Sequence, residues 1–218
     1  LEEFGTERTP LAHVSSPLWR CYSIWGFEGL MELLADRPDL VLHACERFLA
    51  QSRASVRCAA TLGARLVWIE ECLTDTISPA AFESINLRFL CALVEEIRSH
   101  GLRSVYYYCG NPNDRLRLLL AAGADALALE ESKKGFRIDI AAVASAVQGR
   151  CVLLGNLDAM HLLAHADEKE LRQEIDRQVT AGRMNRGRFI MSLGSPVTPH
   201  TPIARVQRYC ELAHELGR

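Results

Sequence analysis

The sequence predicts an α/β fold built on parallel strands. Three observations predict it. Strand and helix signals alternate almost from end to end of the 218 residues. The links between them are short, which calls for parallel strands joined by right-handed crossovers. Apolar runs such as Leu66-Val67-Trp68-Ile69 also lack polar alternation, as expected of strands covered on both faces.

The elements follow in order. Leu11 to Val14 is a short strand ending at Ser15-Ser16-Pro17. Gly26 to Ala35 reads as a short helix, punctuated by Asp36 and Pro38. Leu40, Val41, Ala44, Phe48 and Leu49 have helical spacing, and Gly63 closes that helix. Leu66 to Ile69 is the second strand. Ser78-Pro79 supplies an N-cap and a first-turn proline. Phe82, Ile85, Phe89, Leu93 and Ile97 then recur at steps of three and four, up to the stop at Gly101.

Ser104 to Tyr108 is a strand, followed by the turn Asn111-Pro112-Asn113-Asp114 and a helix from Leu116 to Ala122. Ala126 to Leu129 is a strand, Ile140 to Val147 a helix, and Cys151 to Leu154 a strand. Asp167 to Ala181 is an amphipathic helix with Gly182 at its end. Phe189 to Met191 is the last strand, and Thr201-Pro202 caps a final helix reaching Leu216. This makes six strands. A (β/α)8 barrel with about six of its eight units explains the count, and so does an open doubly wound sheet. A full barrel takes roughly 250 residues. One domain over residues 1–218 is the expectation.

Composition narrows the function classes. Hydrophobic residues make up 49% and charged residues 24%, as in ordinary globular domains. The formal net charge of −2 predicts neither a nucleic-acid nor an anionic-membrane partner. No apolar run is long enough to span a membrane. Leu1-Glu2-Glu3-Phe4 carries neither a signal sequence nor an initiating Met, so the chain is expected to begin inside a longer gene product or after added residues. None of the eight cysteines forms a CxxC pair, and most fall in apolar periodic segments. A reduced cytoplasmic protein is expected.

Polar or small residues follow nearly every strand. They are Glu70-Glu71, Cys109-Gly110-Asn111, Glu130-Glu131-Ser132-Lys133-Lys134, Gly155-Asn156-Leu157-Asp158 and Ser192-Leu193-Gly194-Ser195. Parallel α/β folds place ligands at this edge. Four carboxylates on one rim repel one another, so one is expected to hold a proton, bind a cation or pair with Lys133, Lys134 or an arginine. That setting suits acid–base chemistry. Neighbouring strand residues point to opposite faces, so one of Glu70 and Glu71 faces the mouth. Tyr107 shares a face with Cys109, and Tyr106 and Tyr108 share the other. Cys72 could join Cys109 in a thiolate metal site. His200 is the one histidine in a loop at the C-terminal side of the last strands.

These residues resemble the uroporphyrinogen decarboxylase superfamily, which includes zinc-dependent methyltransferases acting on methylated corrinoids and thiols. The resemblance runs from about Ser16 to the C-terminus. It rests on Ile77-Ser78-Pro79, Tyr108-Cys109-Gly110-Asn111, Gly155-Asn156-Leu157-Asp158, and Gly194 with Thr201-Pro202, in that order. It implies a TIM-type barrel with its mouth at the strand C-termini. Family decarboxylases place an Asp from a Phe-Asp-Ser-Trp motif seven residues before the Ser of the Ser-Pro cap; Glu71 stands there. Their substrate-binding arginines lie in an N-terminal segment, and no residue of this sequence is assigned those roles. The zinc methyltransferases use His-x-Cys-Gly and a later Cys. Cys109 keeps one of those positions, Tyr107 stands in the His position and Ser195 in the later Cys position. The resemblance therefore implies no confident metal or other cofactor, with zinc weakened by Tyr107 and Ser195.

The expected function is an enzyme binding a small molecule at the barrel mouth, of the methyltransferase branch or an unassigned relative. Glu71, Cys109 and Glu131 are the expected catalytic residues. Glu70, Tyr107, Asn111, Glu130, Lys133, Asn156, Asp158, Ser195 and His200 are expected to bind substrate, a tetrapyrrole or a methylated corrinoid or thiol. One alternative is a uroporphyrinogen decarboxylase of porphyrin biosynthesis. Another is a non-catalytic binding partner in corrinoid metabolism. An exposed edge near Val14 and Val105 is expected to favour a homodimer.

Overall fold

The structure is a computed structural model and describes residues 7–133 and 135–218. The chain start Leu1 to Phe4 and the expected pairing of Lys134 lie outside the described residues. Two compact units are present among the described residues, one of residues 7–110 and 114–125, the other of residues 111–113, 126–133 and 135–218.

The first unit carries three parallel strands in chain order, β1 (Leu11–Ser15), β2 (Leu66–Glu71) and β3 (Arg103–Tyr108). Leu11 lies opposite Leu66, and Leu66 opposite Arg103. The connections are helical. Helices α1 (Pro17–Asp36) and α2 (Pro38–Thr61) join β1 to β2. Between β2 and β3, α3 (Pro79–Ala81) runs through a π-helical stretch (Phe82–Leu87) into α4 (Arg88–Ser99). After β3 comes α5 (Leu116–Ala121). Val67 and Ile69 of β2 are fully buried, as are Val41 and Val56 of α2, Phe82, and Leu90 and Leu93 of α4. Each such side chain contributes about 1.5–3 kcal/mol by leaving water.

In the second unit β4 (Ala126–Leu129), β5 (Val152–Leu154) and β6 (Phe189–Ile190) pair in parallel, again in chain order. Helix α6 (Ile140–Val147) follows β4. A π-helical turn (Ala159–Leu163) and α7 (Glu168–Met184) follow β5, and α8 (Ile203–Leu216) follows β6. Leu157, Leu163, Leu171, Ile175, Tyr209 and Leu212 form a buried cluster there. Asp167 starts α7 with a reciprocal capping box to Glu170.

Four expectations are corrected. Helix α1 begins at Pro17, because Ser16 caps it by accepting from the Trp19 N–H at 3.1 Å. Gly26 kinks that helix instead of starting it. Helix α7 continues through Gly182 to Met184. The last helix has no side-chain cap, since Thr201 Oγ1 is engaged with Thr198 Oγ1 at 2.8 Å. The Val14 and Val105 side chains are both buried, while β1, paired with β2 alone among the described residues, forms an edge of the sheet.

Candidate functional site

The alternation of β2 decides which carboxylate does what. Val67, Ile69 and Glu71 turn to the buried side. Glu71 is completely enclosed, so it does not present an acid or base to the rim as expected. Three donors converge on its carboxyl group. Ser16 Oγ donates to Oε1 at 2.6 Å, Asn86 Nδ2 donates to Oε2 at 2.8 Å, and the Tyr106 hydroxyl donates to Oε2. Burial raises the Glu71 pKa, and the three hydrogen bonds oppose that shift without cancelling it. Burial beside Glu71 likewise pushes the Tyr106 phenol well above its ordinary value.

The other face of β1, β2 and β3 carries a different set. His13 stacks on Trp68 with ring centroids 6.1 Å apart, and Trp68 packs on Tyr107 at 5.1 Å. Glu70 lies 3.5 Å from His13 Nδ1 and is about one-third exposed. Glu70 is therefore the member of the pair that reaches solvent. Sequence reasoning named Glu70 and Tyr107 and passed over His13 and Trp68. Their signal was register, since Trp68 is opposite His13 and Glu70 is opposite Tyr107.

Just past β2 and β3, Cys72 Sγ and Cys109 Sγ lie 3.1 Å apart. Cys109 is buried and Cys72 half-buried. Gly110 holds φ +134°, and a Cβ on it would fall 2.4 Å from Asp75 Cβ. A glycine is required there, both for the backbone and for the close approach of the two loops.

The second unit builds an ion cluster at its strand ends. Lys133 Nζ lies 2.7 Å from Glu130 Oε1 and 3.4 Å from Glu131 Oε1, and donates to Ser195 Oγ at 2.9 Å. Ser195 Oγ is also 2.8 Å from each Glu131 oxygen. Both carboxylates are buried. Partial burial works to lower the Lys133 pKa, but the Glu130 and Glu131 carboxylates outweigh it and hold the ammonium protonated. Gly194 permits the packing, because a Cβ on it would lie 2.2 Å from the Glu131 nitrogen.

Asn156 braces this cluster by donating from Nδ2 to the Glu130 carbonyl at 3.0 Å. Its own N–H donates to Gln178 Oε1 at 3.2 Å. Asp158 Oδ1 accepts from the Met160 and His161 N–H groups, both at 2.8 Å, so that oxygen caps a helical turn. Asp158, Asn156 and Glu131 all line a cavity of about 230 Å³ with Arg137 and Arg177. Asn111 Oδ1 accepts from the Asn113 N–H at 3.1 Å, a turn-forming role. His200 stands exposed at φ +69° before α8, outside the Lys133 cluster.

The zinc site of the methyltransferase branch does not fit these residues. Ser195 Oγ is committed to Glu131 and receives the Lys133 ammonium, whose charge repels a cation at that oxygen. Tyr107 offers a phenol where the methyltransferases have an imidazole. Among the described residues, no group of three His, Cys, Asp or Glu side chains is placed to hold a metal ion.

Comparison with known proteins places the fold and the family. A methyltransferase from Methanosarcina mazei superposes with a TM-score of 0.85 at 18% identity, covering 100% of this chain and 61% of its own. A xylose isomerase-like TIM barrel protein from Mycobacterium smegmatis covers 87% of this chain and 78% of its own, at TM-score 0.50 and 16% identity. The six strands and their helices are therefore a partial (β/α)8 barrel, and the doubly wound alternative falls. No helix among the described residues is long and apolar enough to cross a membrane.

Uroporphyrinogen decarboxylases are the curated relatives. The Dechloromonas aromatica enzyme is 27% identical over 209 residues, which is 91% of this chain and 56% of that protein. Arabidopsis thaliana uroporphyrinogen decarboxylase 2 is 25% identical, over 98% of this chain and 54% of its own. The chain spans about half the length of such relatives. The family model described as Uroporphyrinogen decarboxylase (URO-D) matches residues 1–216. With nearly every residue inside that match, the chain belongs to the uroporphyrinogen decarboxylase family.

Proposed function

We propose that this chain is an enzyme of the methyltransferase-like side of the superfamily, or of an unassigned branch beside it, acting on a small molecule at the strand carboxyl ends. The carrying observation is the Lys133 ammonium, held by Glu130, Glu131 and Ser195. It gives Ser195, which the resemblance sets at a methyltransferase metal-ligand position, a fixed protonated neighbour. Two carboxylates face one ammonium there, so the corner is acidic on balance. It favours a substrate group that donates hydrogen bonds, such as a pyrrole or amide N–H. In this reading the first unit supplies Cys109 as a nucleophile; in the second unit Lys133, Glu131 and Ser195 hold or pass a proton. Asn156 fixes the Glu130 backbone, and Glu70, Tyr107 and Trp68 offer a polar and aromatic wall to a flat ligand. Glu71 braces the first unit from within.

The test uses methylcobalamin with a small thiol, followed by the cobalamin absorbance, and in parallel uroporphyrinogen, followed by coproporphyrinogen formation. Wild-type protein is expected to transfer the methyl group. Lys133→Met and Cys109→Ala are expected to lower the rate by roughly 100-fold, the scale of one positioned acid–base group. Coproporphyrinogen formation would instead establish the second reading, a porphyrinogen decarboxylase, which the names of the curated relatives favour. Activity on neither probe, with a flat ligand still bound, would favour a binding partner in corrinoid metabolism. A cytoplasmic location and a homodimer belong to the same proposal.

A further inference from the structure

We propose that Cys72 and Cys109 form a reversible disulfide, a two-electron modification site for hydroperoxides, which rests on the reading above in that it withdraws the Cys109 thiol from a working strand end. Register carries the argument first. Glu71 lies opposite Tyr108, so one further step sets Cys72 opposite Cys109. The ladder is maintained to that point, because the Cys109 N–H donates to the Glu71 carbonyl at 3.2 Å. Neighbouring strands lie about 4.8 Å apart. A disulfide needs a Cα separation of about 4.4–6.8 Å, so the spacing suits one.

Side-chain geometry agrees. The two Sγ atoms are 3.1 Å apart. Closing to about 2.05 Å brings the sulfurs about 1 Å nearer. The loops that follow are fixed side by side by the Gly110 approach to Asp75. Leu73 holds φ +70°, so the chain leaves the strand direction immediately after Cys72. Cys72 is half-buried and adjoins a small pocket lined by Leu18, Trp19 and Met31. It therefore meets the oxidant first.

Oxidation proceeds in two displacements at sulfur and oxygen. The Cys72 thiolate attacks a peroxide oxygen, the O–O bond breaks, and a sulfenic acid forms as hydroxide or alkoxide leaves. The Cys109 thiolate then attacks the Cys72 sulfur, the S–S bond forms, and hydroxide leaves. The two thiol protons neutralise the departing oxygens. Two electrons pass from the thiols to the peroxide. A second close pair, Cys21 and Cys45, has Sγ atoms 3.6 Å apart, but both residues are fully buried, which makes it the internal control.

The full chain is treated with stoichiometric hydrogen peroxide, its remaining thiols are alkylated, and its peptides are mapped by mass spectrometry. The expected result is a Cys72–Cys109 cross-linked peptide and a loss of about 2 Da before alkylation, both reversed by dithiothreitol. Cys72→Ser and Cys109→Ser each abolish the cross-link, while Cys21 and Cys45 stay unlinked. Alkylation of both Cys72 and Cys109 after peroxide, or a cross-link joining other cysteines, overturns the proposal. The wild-type map decides this even if a variant fails to fold. It reads sulfur connectivity alone, so its failure and a failure of the methyl-transfer assay are separate results.

Discussion

Replacing Glu71 by Gln tests whether this carboxyl group is internal bracing or a working acid. The wild-type group accepts from Ser16, Asn86 and Tyr106. A Gln carbonyl placed at the Oε2 position keeps Asn86 and Tyr106. Its amide then faces Ser16 Oγ, which already accepts from Trp19 N–H. The Ser16 hydroxyl can accept a second bond, but its own proton is left buried without an acceptor. A lost bond to a charged group costs about 1.5–3 kcal/mol. Removing a buried charge returns part of that, leaving a net destabilisation of about 1–2 kcal/mol. For a chain of this size each kcal/mol lowers Tm by about 2–4 °C.

The pH dependence has a definite sign. Burial raises the native pKa of Glu71 above its free value. Its contribution to stability is complete below the unfolded value, about pH 4.3, and is lost as pH rises through the native one. Gln does not titrate. The gap between wild type and variant should therefore be larger at pH 5 than at pH 8. Urea unfolding followed by circular dichroism at both pH values measures it. A gap that widens with pH, or an unchanged stability coupled to lost turnover, would refute the assignment of Glu71 to the interior.

Other perturbations have equally definite outcomes. Gly194→Ala forces the loop off Glu131 and should cost about 1–3 kcal/mol by overpacking; the urea midpoint checks it, together with loss of activity. Asp125 accepts from the Ser104 N–H and from Arg103, which hold its pKa below the usual range against the opposing effect of burial. Asp125→Asn should therefore destabilise at pH 7 and converge with wild type as pH falls through the native pKa, as read by thermal melts across pH 2–7, a range of about five units. Asp167→Ala removes the α7 capping box and should cost about 1 kcal/mol with no effect on turnover.

The strands were legible because apolar runs such as Ala126 to Leu129 and Leu66 to Ile69 leave little else for the chain to do. The placement of polar groups at strand ends was legible too, and Glu130, Glu131, Lys133 and Ser195 do meet in one cluster. The choice between Glu70 and Glu71 was not. They are the first and second residues after an apolar run, and the face each takes depends on where β2 enters its ladder. Ser16-Pro17 was misread because a Ser-Pro pair closing a strand is also a helix cap. The Cys72–Cys109 contact joins residues 37 positions apart, so no local pattern announces it.

The π-helical stretch at Phe82–Leu87 has a consequence for any attempt to recombine this chain with its relatives. Each residue added to an α-helix turns the following side chains by about 100°. The wide turn accommodates one residue more than an α-helix of equal rise. That extra residue sets the bearing of Asn86, and Asn86 is one of the three donors on Glu71. A chimera that imports an ordinary α-helical segment one residue shorter would swing the amide away and leave a buried carboxyl group short of a partner. Any exchange therefore has to keep the residues between Ser78 and Leu87 together with Glu71. Grafts cut between them should yield insoluble protein even when every apolar position is conserved in kind.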